Sequence, residues 1–523
     1  MRLDLKLTGC RAVTMDPARP AAHTIGIWQG RIAGLDSDVA DLPAAETVDL
    51  GGAVVLPGFV DAHTHLAWNG RRTTDITGVT TVEGVLDRLA DVGGTGWIEA
   101  SGYDRRIMDR PLTALDLDRI SDGRPVYVAD LSGHACVVNS VVLHQLPEIS
   151  SDGWLTENEQ LAARTLRLPY SLDEITAELH TSAQQVLSEG VTMCAEAGIG
   201  AGLIASSPLE AAAYQRARLP IRVQLMVSAH VLHDVAADPA DGIPRAIDLG
   251  LHTGFGDDML SLGAMKLWTD GGMMARTAAL SAPYAGIDNA GQLAEPEEFM
   301  RAAIIDAHHA GWQLAVHAIG DRAVDFTLDA LQEAQRRRPR ADARHRIEHC
   351  GLVRPEQLGR IAELGVVPVV QPAFLWAYGD DYSEIMGAQR APWMYRGRAF
   401  LDHGITVAGS SDRPVADGAP LRAIDFMVHR RSSGGRSVGP DEAITVEEAI
   451  RAYTLGSAYA CRKEHVLGSL TPGKLADLVV LGDDPRTSDA IAEIPVLATM
   501  VGGAFRYELG SAATAGGTSR PAS

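Results

Sequence analysis

The sequence predicts an α/β protein centred on a (β/α)8 TIM-like barrel, with a small β-sandwich built from both chain ends and an insertion after barrel strand 1. Three observations carry this. Apolar runs of strand length alternate with amphipathic helical stretches through the middle of the chain, the pattern of a parallel sheet covered by helices. Short strands and turns mark both ends. About a hundred residues separate the first two barrel strands, far more than a βα connection needs.

Taken in order, LDLKLTGCRAVTM, HTIGIWQGRIAGL with a turn at Gly30, and AETVDLGGAVV open the chain. A similar texture returns in ADLVVLGDDP and VLATMVGGAFRYEL, entered by the turn GSLTPGK at Gly468 to Lys474. These segments are expected to pair as one composite β-sandwich over residues 1–56 and 464–510. The small-residue tail at 511–523 is expected to be disordered. Between them, residues 57–463 form the expected barrel. Its first strand is the apolar run AVVLPGFVDAHTHL, Ala53 to Leu66. Further strands are expected at GVTMCAEAG, LPIRVQLMVSA, LSLGAMKLWTDG, WQLAVHAIGD, ARHRIEHCG, VVPVVQPAF and ITVAGSSDRPV. Helix starts are legible as well. Ser171-Leu172-Asp173-Glu174 is a capping box, Pro296-Glu297-Glu298 opens a helix ending at His308 to Gly311, and Asp321 is placed to cap RAVDFTLDALQEAQRRR. An inserted subdomain is expected at about 66–170, where it would cover the active site.

With 523 residues, 46% hydrophobic and 22% charged, the chain has the composition of a globular enzyme. Its first residues, MRLDLKLTGC, lack an apolar signal core, and no continuous apolar segment is long enough to cross a bilayer. A cytoplasmic protein without a membrane partner is expected. A net charge of -21 argues against nucleic acid and fits a solvated, self-repelling surface. The cysteines lie far apart without a C-x-x-C pair, which suggests neither disulfides nor a thiolate metal site; Cys194 and Cys350 are expected to be inert core thiols.

His63 and His65 end the first strand one residue apart, so both imidazoles project from one face. Two imidazoles on one rigid element make half of a metal site. Since active sites of such barrels lie at the C-terminal strand ends, the remaining ligands should end other strands. Lys266, His317, His349 and Asp412 do so. Each has a plainer explanation: a lone strand histidine is usually a hydrogen-bonded core group, and Asp412 precedes Pro414 as a turn residue would. Their joint placement favours one metal centre. His345 lies deeper on the strand of His349 and is expected to be structural. Lys266, inside an apolar run, loses solvation and a lowered pKa follows, so its neutral amine can take up carbon dioxide as a bridging carbamate. The alternative is a lysine paired with a local acid such as Asp270.

PGFVDAHTHL, GAMKLWTDGGMMARTA, AVHAIGDRAVD, HRIEHCG, GSSDRPV and GSLTPGKLADLVVL together resemble the amidohydrolase superfamily, in particular its family 3, the YtcJ-like group that includes N-substituted formamide deformylases. The resemblance covers all but about the last dozen residues. It implies a β-sandwich joined to a metal-bearing barrel. It also implies ligand roles for His63, His65, His317, His349 and Asp412, with Lys266 as carbamylated bridge. The family commonly shows DGS-L-GSRTA after the strand-four lysine, where this chain has two methionines in Asp270-Gly271-Gly272-Met273-Met274-Ala275-Arg276-Thr277-Ala278. The substrates of relatives therefore do not transfer directly. In SGHACVVNS, His134 is read as projecting into the pocket or as structurally satisfied, and Asn139 as the N-cap of the next helix. His134, Trp268, Asp270 and Arg276 are the candidate substrate contacts. Trp376, Tyr378 and Trp393 are candidates for an aromatic wall.

The expected function is hydrolysis of a carbon–nitrogen bond in a small amide, with one or two divalent ions, zinc by preference, and Asp412 carrying protons. Rivals are a deaminase or cyclic-amide hydrolase on the same scaffold, and a non-catalytic regulatory relative. The strand-five run HAIGD lacks the nearby glutamate that deaminases of this superfamily typically use, which favours amide cleavage. Retention of all six ligand candidates disfavours the regulator. A homodimer is the default assembly.

Overall fold

The computed structural model describes residues 1–70, 73–105, 107–130, 135–200 and 207–510. The expected disordered tail at 511–523 and His134 lie outside the described residues. Two compact units are seen, one of Met1–Gly70 with Thr176–Ser523, the other of Arg71–Ile175.

The larger unit is built on eight parallel strands, here β1 (Phe59–Thr64), β2 (Val191–Ile199), β3 (Arg222–Ser228), β4 (Leu260–Trp268), β5 (Leu314–Ala318), β6 (Arg346–His349), β7 (Val367–Val370) and β8 (Ala408–Gly409). They follow one another in order around the sheet. β2 is buried at every position, as strands with both faces covered must be. Small apolar side chains (Ala62, Ala195, Ala264, Ala315 and Ala408 among them) cluster with Val60 and Val369 in the core. β8 is short, and the segment after it is fastened to β1 by hydrogen bonds. Asp412 N donates to His63 O at 2.8 Å, His65 N to Arg413 O at 3.1 Å, and Ser411 N to the Asp61 carboxylate at 2.9 Å.

Chain ends meet in two sheets. One joins Leu3–Thr8, Ile25–Trp28, Arg31–Leu35 and Ala44–Asp49; the other pairs Val54–Pro57 with Leu478–Leu481, which pairs in turn with Val496–Val501. Leu7, Ile25, Val55, Leu478 and Val480 share the core between them. The run Ala53 to Leu66, read as one strand, is two. Val54–Pro57 belongs to the end sheet and Phe59–Thr64 to the barrel. Pro57 and Gly58 divide them, and a Cβ on Gly58 would stand 2.3 Å from the Thr192 side chain, so only glycine fits there. The two modules are also joined by a buried, bidentate ion pair between Arg222 of β3 and Asp477, at 2.7 and 2.8 Å.

Within the smaller unit, strands Thr74–Asp75, Ile98–Tyr103, Val126–Asp130, Ala135–Val138 and Trp154–Thr156 form one sheet, packed on helices Val82–Ala90 and Ala114–Ser121. Asn139 stands at the N-cap of Ser140–Leu143, yet its side chain does not cap. It accepts from Val126 N and donates to Arg124 O, which pins the turn to a neighbouring strand.

The capping box at Ser171 is formed: Ser171 Oγ accepts from Glu174 N at 3.2 Å and Glu174 accepts from Ser171 N at 2.9 Å, opening the helix Leu172–Ser188. Asp321 departs from expectation. It is the first residue of its helix, after Gly320, and its carboxylate faces away to Ser281 and to Arg354 Nη1 at 2.7 Å. A full charge partner and a loop amide outcompete the helix's own N–H groups.

Candidate metal centre

His63 leaves the end of β1 between two acids. Its Nδ1 lies 2.5 Å from Glu348 Oε2, and its Nε2 lies 3.3 Å from Asp412 Oδ1 and 3.5 Å from Lys266 Nζ. Glu348 is fully buried and gripped by Arg346 through two bonds of 2.8 Å. Burial opposes its charge, but the guanidinium and His63 hold its pKa well below the usual carboxylate range. An ionised Glu348 keeps the His63 proton on Nδ1 and leaves the Nε2 lone pair facing Asp412 and Lys266, the arrangement an outer acid imposes on a metal-binding imidazole.

His65 follows the same logic on the other side. Its Nε2 lies 2.9 Å from Asp412 Oδ1, and its Nδ1 lies 3.5 Å from Glu196 Oε1. Glu196 is itself held by Leu66 N at 2.7 Å and by the Tyr214 hydroxyl. Burial works against protonation of His65, yet Asp412 and Glu196 outweigh it and raise its pKa.

His349 ends β6 in the left-handed region, φ 68°, and its Nδ1 lies 2.7 Å from Gln371 Oε1. Gln371 donates to Val369 O and Ser410 Oγ, so its oxygen is fixed as the acceptor. Burial pushes His349 down to about 3, so it is neutral and its Nε2 has a free lone pair. His317, one strand away, stacks edge-on against it with ring centres 4.4 Å apart. The His317 Nε2 is turned to Gly271 O at 3.3 Å, so a ligand role falls to its Nδ1.

Asp412 also has a left-handed backbone, φ 52°, and is buried among these rings. Burial alone would raise its pKa; His63 and His65 overcome that and set it well below the ordinary value. Ligand atoms of His63, His349 and Asp412 all lie within 4.8 Å of one another. Lys266 is 1% exposed, and burial pushes its pKa down to about 8 against the pull of Glu348 and Asp412. Among the described residues no carboxylate reaches it within 4.0 Å. Imidazole nitrogens turned inward, outer acids behind them and one ionised carboxylate at the centre are a donor set suited to a borderline divalent cation.

All six expected ligand residues therefore form one contact network. The expected substrate contacts divide. Trp268 has the Lys266 ammonium over its ring at 5.2 Å and His230 beside it at 6.2 Å. Asp270 is not the partner of Lys266 among the described residues; its Oδ1 lies 3.4 Å from His317 Nε2. Its oxygens accept from Ile319 N, Gly320 N and Ala279 N at 2.8–3.0 Å, which ties the loops after β4 and β5 together, and burial pushes its pKa up to about 7. Arg276 is exposed, and among the described residues no hydrogen bond or ion pair joins its side chain to the cluster. Trp376 lies under Arg422 and Trp393 beside Arg396, while the Tyr378 hydroxyl donates to Val415 O at 2.6 Å.

Sequence reading missed Glu348, Glu196 and Gln371. Two of them carried a usable signal: Arg346-x-Glu348 places opposite charges on one face of an apolar strand, and Glu196 interrupts an apolar run just as Lys266 does. His345 is structural as expected. It bonds His308 and accepts from Leu314 N. Cys194 and Cys350 are buried free thiols whose pKa burial raises.

Known proteins resemble the chain over most of its length. The chain is 28% identical over 503 residues to the putative amidohydrolase YtcJ of Bacillus subtilis, covering 89% of this chain and 91% of that one. It is 27% identical over 549 residues to an N-substituted formamide deformylase of Arthrobacter pascens, covering 97% and 98%. A crystal structure of an uncharacterised metal-dependent hydrolase from Pyrococcus horikoshii superposes with a TM-score of 0.80 at 26% identity, over 94% of this chain and 99% of that one. The amidohydrolase family model matches residues 46–507, a span that takes in every histidine and acid of the cluster, and the chain belongs to that family.

Proposed function

We propose that this protein is a metal-dependent hydrolase that cleaves the carbon–nitrogen bond of a small neutral amide, with N-substituted formamides and N-acyl compounds as the substrate classes to test. The observation that carries the reading is Asp412, an ionised carboxylate within 3.3 Å of two imidazoles and facing a third. His63, His65, His317, His349 and Asp412 would hold one or two divalent ions, zinc by preference. Lys266, buried beside His63 Nε2, would bridge them as a carbamate. A divalent ion there supplies polarisation of the carbonyl and a water acidic enough to attack near neutral pH. Asp412 takes the proton released as water adds to the carbonyl carbon, then delivers it to the departing nitrogen. Glu348 and Gln371 hold the rings of His63 and His349 in the orientation that leaves Nε2 inward. The relatives that resemble the chain over most of its length support this reading.

The test combines elemental analysis of the purified protein with a screen of N-alkyl formamides, N-acyl amino acids and cyclic amides. Formate together with a free amine is the expected product pair from formamides. Ammonia release would instead mean a deaminase, and a metal-replete protein inert on the whole panel would remove the amide-hydrolase reading.

A further inference from the structure

The aromatic residues around His349 and Asp412 contain a hydrogen-bond donor that the scheme above does not use. Tyr395 is buried, and among the described residues its hydroxyl has no partner. Two other phenols differ: Tyr378 donates to Val415 O and Tyr284 to Ala278 O. A buried hydroxyl left open is costly, and native proteins rarely leave one without a use.

Tyr395 is also held in place at a cost. Its backbone is in the left-handed region, φ 42°, a conformation that bulky residues seldom adopt and that tends to occur at functional sites. Two hydrogen bonds impose it. Tyr395 N donates to Gly351 O at 2.8 Å, and Tyr395 O accepts from Arg430 Nη1 at 2.9 Å. Gly351 follows His349 by two residues, and Leu352 bridges to Met394, so Tyr395 is fastened to the segment leaving the end of β6. Its ring meets Phe374 edge-on at 6.0 Å, and Phe374 stacks on His349 at 6.2 Å. Burial above all, then Tyr382, Asp412 and Asp270, holds the phenol's pKa well above its ordinary value, so it keeps its proton. An open donor is thus held one ring away from His349 before any substrate arrives.

We propose that the Tyr395 hydroxyl is a catalytic hydrogen-bond donor to the carbonyl oxygen of the substrate. This role rests on the amide-hydrolase reading. As water adds, a C–O bond forms and the carbonyl oxygen takes the electron pair of its π bond. A pre-oriented O–H at that oxygen stabilises the negative charge. When the pair returns, the C–N bond breaks and nitrogen leaves with the proton held by Asp412.

Tyr395→Phe removes only the oxygen, so the experiment compares this variant with the wild type in melting temperature, metal content, kcat and KM on an accepted amide, and Kd for acetohydroxamate, a carbonyl probe that binds the metal-loaded protein without turnover being required. Expected are unchanged melting temperature and metal content, kcat lower by about 10²-fold with KM little changed, and acetohydroxamate bound about tenfold more weakly. Wild-type kcat with unchanged probe affinity would overturn the proposal. Lost metal or a collapsed melting temperature would overturn it too, since the hydroxyl would then be structural. A wild type inert on every amide would remove the functional reading of the preceding section, and the probe comparison would still decide the role of Tyr395.

Discussion

His63 stands between two carboxylates, Glu348 on its Nδ1 and Asp412 on its Nε2, and only the second faces the other candidate ligands. The two acids should fail differently. Glu348→Gln leaves the buried Arg346 guanidinium uncompensated, so about 3–5 kcal/mol of stability should be lost in denaturant unfolding. The same variant should weaken metal binding by about 10–100-fold in a chelator competition, because the orientation and basicity of His63 go with it. Asp412→Asn keeps the volume and the protein's fold; its turnover should fall by about 10²–10⁴-fold while metal is retained. Wild-type turnover in a metal-loaded Asp412→Asn protein would remove its proton-carrying role. At this scale the sequence was informative wherever a residue type was out of place. Lys266 and the paired histidines announced themselves in apolar runs; Glu348, two positions from Arg346 on such a run, carried the same signal and was missed.

Elements are joined by polar links that no local pattern records. The helix Glu297–His309 is bound to the start of β6 through two neutral imidazoles: His308 Nε2 donates to Arg338 O at 2.7 Å, its Nδ1 bonds His345 Nε2 at 2.8 Å, and His345 Nδ1 accepts from Leu314 N at 3.0 Å. Every ring nitrogen is used, so a proton added to either ring must break a bond. Burial lowers His308 from 6.5 to about 4 and holds His345 well below its ordinary value. The unfolded chain binds protons there first. This contribution to stability is therefore fully present above pH 6.5 and is lost as pH falls through about 4. Melting temperatures measured across that window should fall on acidification, and His308→Gln should flatten the fall. The helix Leu172–Ser188 offers a simpler check: Ser171→Ala removes its cap and should cost about 1 kcal/mol.

Across the whole larger unit, the barrel and the end sheets depend on each other through Arg222 and Asp477. Asp477→Ala strands a buried arginine, and about 3–5 kcal/mol should be lost in thermal or denaturant unfolding. If the link is only peripheral, the variant will unfold like the wild type. The (β/α)8 order was legible because strand-length apolar runs and helical periods alternate, and each expected strand was found. What the alternation did not show was that one run, Ala53 to Leu66, serves two sheets. Helix periodicity likewise placed Asp321 at a helix start without saying that Arg354 would claim its carboxylate.

The amino-acid order by itself determined the strand and helix succession and singled out the candidate ligand side chains, because both are written in local spacing and in polar residues placed among apolar ones. Only tertiary structure decided which nitrogen of each imidazole faces inward, that Asp270 binds backbone amides rather than Lys266, and that the buried Tyr395 hydroxyl has no partner among the described residues. Those outcomes depend on partners far away in the chain, as Glu348 is from His63 by 285 positions, and on burial that makes each missing or completed hydrogen bond count.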